Sequence, residues 1–331
     1  MTEVYVGLDY HQKTVQVCVM DPGGVELANR SCPNEWGSIV SYAERFGRVR
    51  RAAIESCCGA ADLAEELVTK AGWSVEMAHP GYLRRMKQSP DKSDYSDAKM
   101  TADLTRVGYL PKVWLAPQPI RELRRLIRHR QSIADQRRNA KLRIRSLLRE
   151  QRLRCSARAW TRPWLQWLEH EAPLSEQGRW VIERLLEELS WLQQRIAEAE
   201  KHLTVVTADD VVVAKLLEQP GVGPVTAWTI RAEIGRFDRF VTGKQLSRFC
   251  SLSPRNASSG ERLADAGLIR AGSARLRAVL IEAAHRLTLR DPRWRAFSLK
   301  LRESGKPGSV VAAAVANRWI RGLFYEMRKM A

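Results

Sequence analysis

Hydrophobic positions near the start of the chain keep a two-residue period. Residues 4–8 form a short apolar run, and residues 14–20 alternate, with Val15, Val17 and Val19 on one parity. Both patterns predict strands, the second buried on one face. Asp21-Pro22-Gly23-Gly24 marks a turn, and a short third strand over 25–28 completes a hairpin with the second. The period then lengthens to that of a helix over 35–46 and returns to strand at 51–55. It becomes helical over 60–71, strand over 74–78 up to His79-Pro80, and helical again over about 94–107.

The order is three strands, helix, strand, helix, strand, helix. An antiparallel meander continued by parallel strands under crossover helices satisfies it, which is the ribonuclease-H-like order. From residue 119 to 205 only helical periodicity remains. Ile182, Leu185, Leu189, Leu192, Ile196, Ala199 and Leu203 alternate spacings of three and four, a coiled-coil seam. That seam predicts pairing with another long helix or a second subunit, against packing of a single helix within the fold. The preceding helix, about 119–153, has an apolar stripe interrupted by Arg130 and Arg137. Its many Lys and Arg face only Glu122, Asp135 and Glu150. A solvated face normally mixes signs, so this one reads as a helix that tracks phosphates. Trp160, Trp164 and Trp167 around Pro163 read as a hydrophobic cap on the helical hairpin rather than a base-stacking platform. Residues 210–331 read as a third, helical segment with turns at Gly243, Gly260, Gly267 and Gly272. The fold class is thus α/β plus all-α, divided as 1–115, 116–208 and 209–331.

Charge narrows the partner. Across 331 residues, 55 Lys and Arg against 37 Asp and Glu leave a formal charge of +18. That favours a polyanion, nucleic acid before an anionic membrane, because no apolar run nears the ~18 residues that span a bilayer. No signal segment is read at the start. The six cysteines form no Cys-x-x-Cys pair and read as reduced residues of a cytoplasmic protein.

In a chain poor in acids, four stand where chemistry is done. Asp9 closes the first strand, Glu55 closes the neighbouring parallel one, and Asp94 and Asp97 share one face of the following helix. Four hard oxygen donors converging there can hold two Mg²⁺ or Mn²⁺ ions about 4 Å apart against a phosphodiester. Taken singly, Asp94 and Asp97 also suit a helix N-terminus capped by Ser93. A second motif, Pro220-Gly221-Val222-Gly223-Pro224-Val225-Thr226-Ala227, reads as a helix-hairpin-helix turn. Gly221 and Gly223 let the backbone approach a phosphate, and the helix N-terminus beside Thr226 donates to it; an ordinary helix–helix turn is the alternative. With these, the candidate nucleic-acid contacts are Arg124, Arg128, Arg137, Arg138, Lys141, Arg145, Arg255, Arg270 and Arg275. A third segment, 252–261, holds Ser258-Ser259-Gly260 among arginines. A serine there can attack phosphorus if a metal or base activates it, although Ser-Ser-Gly is common in loops.

These motifs, in this order, resemble the transposases of the insertion-sequence-one-ten family, recombinases guided by a bridge RNA, over nearly the whole chain. The family's Lys-Thr-Asp-x-x-Asp-Ala corresponds to Lys92-Ser93-Asp94-Tyr95-Ser96-Asp97-Ala98, and its Asn-Pro to His79-Pro80. Its Pro-Gly-Val-Gly-Pro-x-Thr-Ala corresponds to 220–227, followed by Glu233-Ile234-Gly235. Its Gly-Leu-x-Pro…Ser-Gly corresponds to Ser251-Leu252-Ser253-Pro254…Ser259-Gly260, and its Ile-x-Lys-x-Gly…Leu-Arg to Ile269-Arg270-Ala271-Gly272…Leu276-Arg277. Ser251 stands for the usual glycine, Arg270 for the usual lysine, and Glu261 for a further glycine. The resemblance implies a RuvC-like domain with the tetrad Asp9, Glu55, Asp94 and Asp97, and Ser259 as nucleophile with Ser258 as the adjacent alternative. It also implies donor and target DNA and a bridge RNA as partners, dimers that assemble into tetramers, and a nucleoid-associated prokaryotic setting. A RuvC-like nuclease that uses water, or a non-catalytic nucleic-acid-binding scaffold, are the other readings.

Overall fold

In the computed structural model, which describes residues 2–86, 93–256, 265–270 and 272–330, the chain divides into two compact units, Met1–Gln118 and Pro119–Ala331. The first is built on a six-stranded sheet in the order β3-β2-β1-β4-β5-β6. Its elements are β1 (Glu3–Tyr10), β2 (Thr14–Met20), β3 (Glu26–Pro33), α1 (Trp36–Ala43), β4 (Arg48–Glu55), α2 (Ala60–Ala71), β5 (Val75–Ala78), α3 (Pro80–Met86), α4 (Asp94–Arg106) and β6 (Lys112–Val113). β1, β2 and β3 pair antiparallel, β4 and β5 extend the sheet parallel to β1, and β6 closes it antiparallel to β5. The expected meander and parallel continuation are therefore present.

Some boundaries differ. β3 runs on to Pro33, beyond the expected 25–28, because its pairing with β2 continues to Thr14↔Pro33. Neither α3 nor β6 was expected. α3 is one short helix behind a proline, and β6 is two residues whose pairing depends on β5 being there first.

Alternation sorts the two faces of the sheet. Val4, Val6 and Leu8 of β1 join Val15, Val17, Val19, Ala52 and Ile54 in a core closed by Ile39 and Ala43 of α1 and by Leu63 and Leu67 of α2. Each fully buried Val, Leu or Ile there contributes about 1.5–3 kcal/mol. On the opposite face Cys18 and Met20 meet Ala98 and Ala102 of α4. Gly7 is where that helix lies closest: a Cβ on Gly7 would fall 2.0 Å from the Ala98 carbonyl oxygen and 2.4 Å from the Ala102 amide nitrogen.

The second unit opens with α5 (Gln118–Glu150). It continues through α6 (Arg162–Gln166), a π-helical turn (Trp167–Glu171) and α7 (Glu176–Val206). Then come α8 (Val211–Leu217), α9 (Pro224–Ile234), α10 (Gly243–Phe249), the strands β7 (Pro254–Asn256) and β8 (Asp265–Leu268), α11 (Ala274–Arg290), α12 (Pro292–Glu303) and α13 (Gly308–Met327). The β7–β8 pair corrects the purely helical reading of this region.

The coiled-coil seam of α7 is filled from within the chain. Ile133 of α5 packs with Leu192 and Ile196, and Ile144 and Leu148 pack with Ile182 and Leu185. The pairing runs antiparallel, with Arg130 donating to Glu200 at 2.6 and 3.0 Å and Arg143 to Glu188 at 2.9 Å. Acids missing from α5 are thus supplied by α7, which corrects the argument that α5 lacks opposing charge. Trp160, Trp164 and Trp167 form the expected cap, with ring centroids 4.7 and 6.4 Å apart. Leu123 and Ile127 of α5 and Leu203 of α7 share one core with α8–α13, so the expected division at 208 falls inside this unit.

Candidate functional site

Strand parity places the first two acids. Since Leu8 and Ile54 are registered neighbours on the α1–α2 face, Asp9 and Glu55 project from the ends of β1 and β4 on the face that α4 covers. α4 brings the other two. Its sheet-facing stripe is Ala98, Thr101, Ala102 and Thr105, all buried, and Asp97 and Asp94 continue that stripe toward the N-terminus. Small residues on the stripe and Gly7 beneath it allow the helix to lie on the sheet, so its first turn reaches the strand ends.

That first turn is anchored. Ser93 caps it by accepting from the Ser96 amide at 3.1 Å. From β3, Asn29 donates to the Tyr95 carbonyl at 3.1 Å, and Glu26 accepts from the Tyr95 hydroxyl and pairs with Lys99 at 2.9 Å.

Asp9, Glu55 and Asp97 line one cleft of about 400 Å³ with Tyr10, His11, Cys57, Pro80, Gly81 and Arg84. His11 was not foreseen. It follows the end of β1, and its Nε2 lies 3.4 Å from Asp9 Oδ2 and 3.1 Å from Asp94 Oδ2. The ligand atoms of Asp9, His11 and Asp94 all fall within 4.8 Å of one another, the only such group of metal-binding side chains among the described residues. Burial raises the Asp9 carboxyl above its ordinary pKa. Nearby His11 opposes that, and the charges of Asp94 and Asp97 add to it. A cation in the cleft would relieve both burial and repulsion. Four carboxylates with one imidazole are a donor set suited to a divalent metal. Of the four acids, Asp9 and Asp94 stand with His11 close enough to share one ion, while Glu55 and Asp97 line the same cleft.

The sequence holds one signal for His11: it stands two residues beyond Asp9, where the first strand gives way to a turn. Arg84 is carried by α3, a helix too short to show a periodic pattern in the sequence.

In the second unit, Arg128, Arg138, Gly223, Thr226 and Arg275 come together along one groove of about 620 Å³ between α5, α9 and α11, where Arg286 joins them. Asp135, Glu233 and Glu282 also line it. Gly223 begins α9 with open space beside its Cα, as a phosphate approach requires. Other expected phosphate ligands are used inside the fold. Arg124 is largely buried and donates to the Ala232 and Glu233 carbonyls at 2.6 and 3.3 Å, closing the end of α9. Arg137 donates to Gln193, and Lys141 lies 4.5 Å from the Trp160 ring. Gly221, at φ +78°, makes room for α11, since a Cβ would stand 3.0 Å from Arg286 Cβ. Arg145, Arg255 and Arg270 are exposed outside this groove. Ser258 and Ser259 lie outside the described residues. The backbone on either side is tied down: Gly272 donates its N–H to Ser251 Oγ at 2.8 Å, and Asn317 donates to the Leu252 carbonyl at 2.9 Å.

Comparison with known proteins decides the family. A DEDD transposase profile of the IS110 type matches residues 6–152, which include all four acids, and the profile described as "Transposase IS116/IS110/IS902 family" matches residues 213–299. The chain belongs to the IS110/IS116 family of transposases. The "Probable family 20 transposase" of Pseudomonas aeruginosa is 28% identical over 290 residues, 82% of each chain. The transposase for insertion sequence element IS1328 of Yersinia enterocolitica is 24% identical over 317 residues, 90% of this chain and 94% of that one. The protein y4qE of Sinorhizobium fredii, also named a transposase, is 27% identical over 66% of this chain, which spans only 54% of its length. For this IS110-type transposase the DEDD match and the cleft point to a divalent metal. Among the described residues, no helix is long and apolar enough to cross a membrane.

Proposed function

We propose that this chain cuts and rejoins DNA strands for an insertion element, with Asp9, Glu55, Asp94 and Asp97 holding divalent metal at the cleft. The observation that carries the reading is the convergence of acids from β1, β4 and α4 on one cleft at the strand ends. Metal held there supplies charge neutralisation of the phosphodiester and of the developing oxyanions. Arg84, at the same cleft, adds a fixed positive charge for the DNA backbone. The groove lined by Arg128, Arg138, Arg275 and the start of α9 holds backbone phosphates elsewhere on the substrate.

The finer reading rests on the resemblance of motifs. In it, Ser259 Oγ attacks phosphorus, a phosphoserine ester forms, and the displaced sugar oxygen takes up a proton; religation reverses the exchange. A bridge RNA pairs with donor and target DNA, and dimers assemble into tetramers.

Two substitutions test these levels separately. Asp9→Asn abolishes strand cleavage while leaving DNA binding near wild type; full cleavage by this variant refutes the metal site. Ser259→Ala abolishes covalent protein–DNA adducts; a variant that still cleaves without ever forming an adduct identifies water as the nucleophile. An RNA of discrete sequence co-purifying with the protein supports the guide, and its absence from an active preparation excludes it.

A further inference from the structure

We propose that His11 is a nitrogen ligand to the divalent metal and that it biases the site toward Mn²⁺ over Mg²⁺. This rests on the acid-site reading above and goes beyond it, since a site of four carboxylates alone has no such bias.

Position comes first. His11 sits in the tight turn between β1 and β2, where its own N–H donates to the Thr14 carbonyl at 2.9 Å. Asn34 holds the turn from outside, donating through Nδ2 to the carbonyls of His11 and Gln12 at 3.0 and 3.2 Å, while its backbone N–H donates to the Lys13 carbonyl at 3.1 Å. The backbone that carries the imidazole is therefore pinned on both sides. The ring is directed at the acids although nearly half of the side chain is exposed and free to reach solvent.

Spacing comes second. Adjacent ligands around an octahedral ion at about 2.1–2.2 Å stand about 3 Å apart. The His11 Nε2 separations from Asp94 and Asp9, 3.1 and 3.4 Å, are of that size. The two acids come from different elements, α4 and β1, and the imidazole stands beside both, so the three ligand atoms can face one shared cation. A protonated histidine pairing with two carboxylates has similar distances, so the two roles are separated by spectroscopy and by metal selectivity.

Chemistry sets the bias. Mg²⁺ is a hard ion that keeps oxygen ligands and its waters. Mn²⁺ accepts the same oxygens and also an imidazole nitrogen. A nitrogen in the set therefore strengthens Mn²⁺ binding more than Mg²⁺ binding.

The experiment uses the full-length protein loaded with one equivalent of Mn²⁺, read by pulsed electron paramagnetic resonance, together with calorimetric titrations of Mn²⁺ and of Mg²⁺. The wild type is expected to show modulation from a directly bound ¹⁴N, lost in His11→Gln. Mn²⁺ affinity in that variant is expected to fall by at least about tenfold, with a smaller loss for Mg²⁺. Wild-type protein that binds Mn²⁺ with no nitrogen coupling overturns the proposal whether or not the variant folds. So does a folded His11→Gln protein with unchanged Mn²⁺ affinity. Asp9→Asn separates the two levels: if it too leaves Mn²⁺ affinity unchanged, the acid site itself is wrong, whereas loss in Asp9→Asn with none in His11→Gln discards only the histidine.

Discussion

Single residues carry constraints that their type alone does not announce. Ser251 is fully buried at φ +57°, in the left-handed region that favours glycine, and the related motif has glycine at that place. Its hydroxyl accepts from the Gly272 amide, so the side chain has a use that offsets the strained backbone. Gly272 must itself be small, because a Cβ would fall 2.2 Å from the Phe249 carbonyl oxygen. Two variants separate strain from bonding. Ser251→Ala keeps the strain and removes the acceptor of a partly buried N–H, at a cost of about 1 kcal/mol. Ser251→Gly loses the same bond but recovers about 1 kcal/mol of backbone strain. Thermal melts should therefore rank wild type and glycine above alanine; alanine melting at or above glycine contradicts the strain argument.

At the scale of elements, the site depends on how closely α4 approaches β1. That closeness is written in Gly7, Ala98 and Ala102, all without bulk where helix and strand meet. Gly7→Val would drive a side chain into the α4 backbone, which cannot rotate away as a side-chain tip can. The expected loss is at the upper end of the roughly 1–3 kcal/mol typical of overpacking, or beyond it. Because α4 carries Asp94 and Asp97, the same variant should lose Mn²⁺ affinity in calorimetry even at temperatures where it is folded. A stable Gly7→Val protein with unchanged metal affinity would show that helix placement does not govern the site. α5 and α7 teach a different lesson. The heptad spacing of α7 required a partner helix, and the partner is α5 of the same chain, antiparallel, with Arg130–Glu200 and Arg143–Glu188 across the seam. Heptads state that a partner exists but not which chain supplies it.

At the scale of the whole molecule, a formal charge of +18 predicts DNA binding that weakens steeply with salt. Arg128 and Arg138 are exposed and only loosely paired, 3.9 Å from Glu233 and 3.5 Å from Asp135, whereas Arg124 is held by backbone carbonyls, so the expected effect of each arginine differs. Replacing Arg128 and Arg138, which line the groove beside α9, should lower the salt slope by about 0.9 for each phosphate no longer neutralised. Replacing Arg124, held by α9 carbonyls, should instead lower the melting temperature and leave the slope unchanged. Binding titrations across a range of salt concentrations decide between these, and equal slopes for wild type and the groove variant would remove the groove from the DNA path.

Much of the first unit was legible in its residues. Alternation at 14–20, the turn at 21–24 and the acids closing two apolar runs depend on neighbours a few positions apart, and the strand order and the convergence of Asp9 with Glu55 follow from them. Ser93, Asp94 and Asp97 could be placed at a helix start for the same reason, since capping is local chemistry. What local pattern does not contain is which surfaces meet. The place of His11 between two carboxylates, the entry of Arg84 into the cleft, the capture of Arg124 by α9 and the choice of α5 as partner for α7 all depend on the meeting of distant segments. Those meetings follow from packing geometry, in which Gly7, near the start of the chain, decides where the far-removed α4 sets its charges.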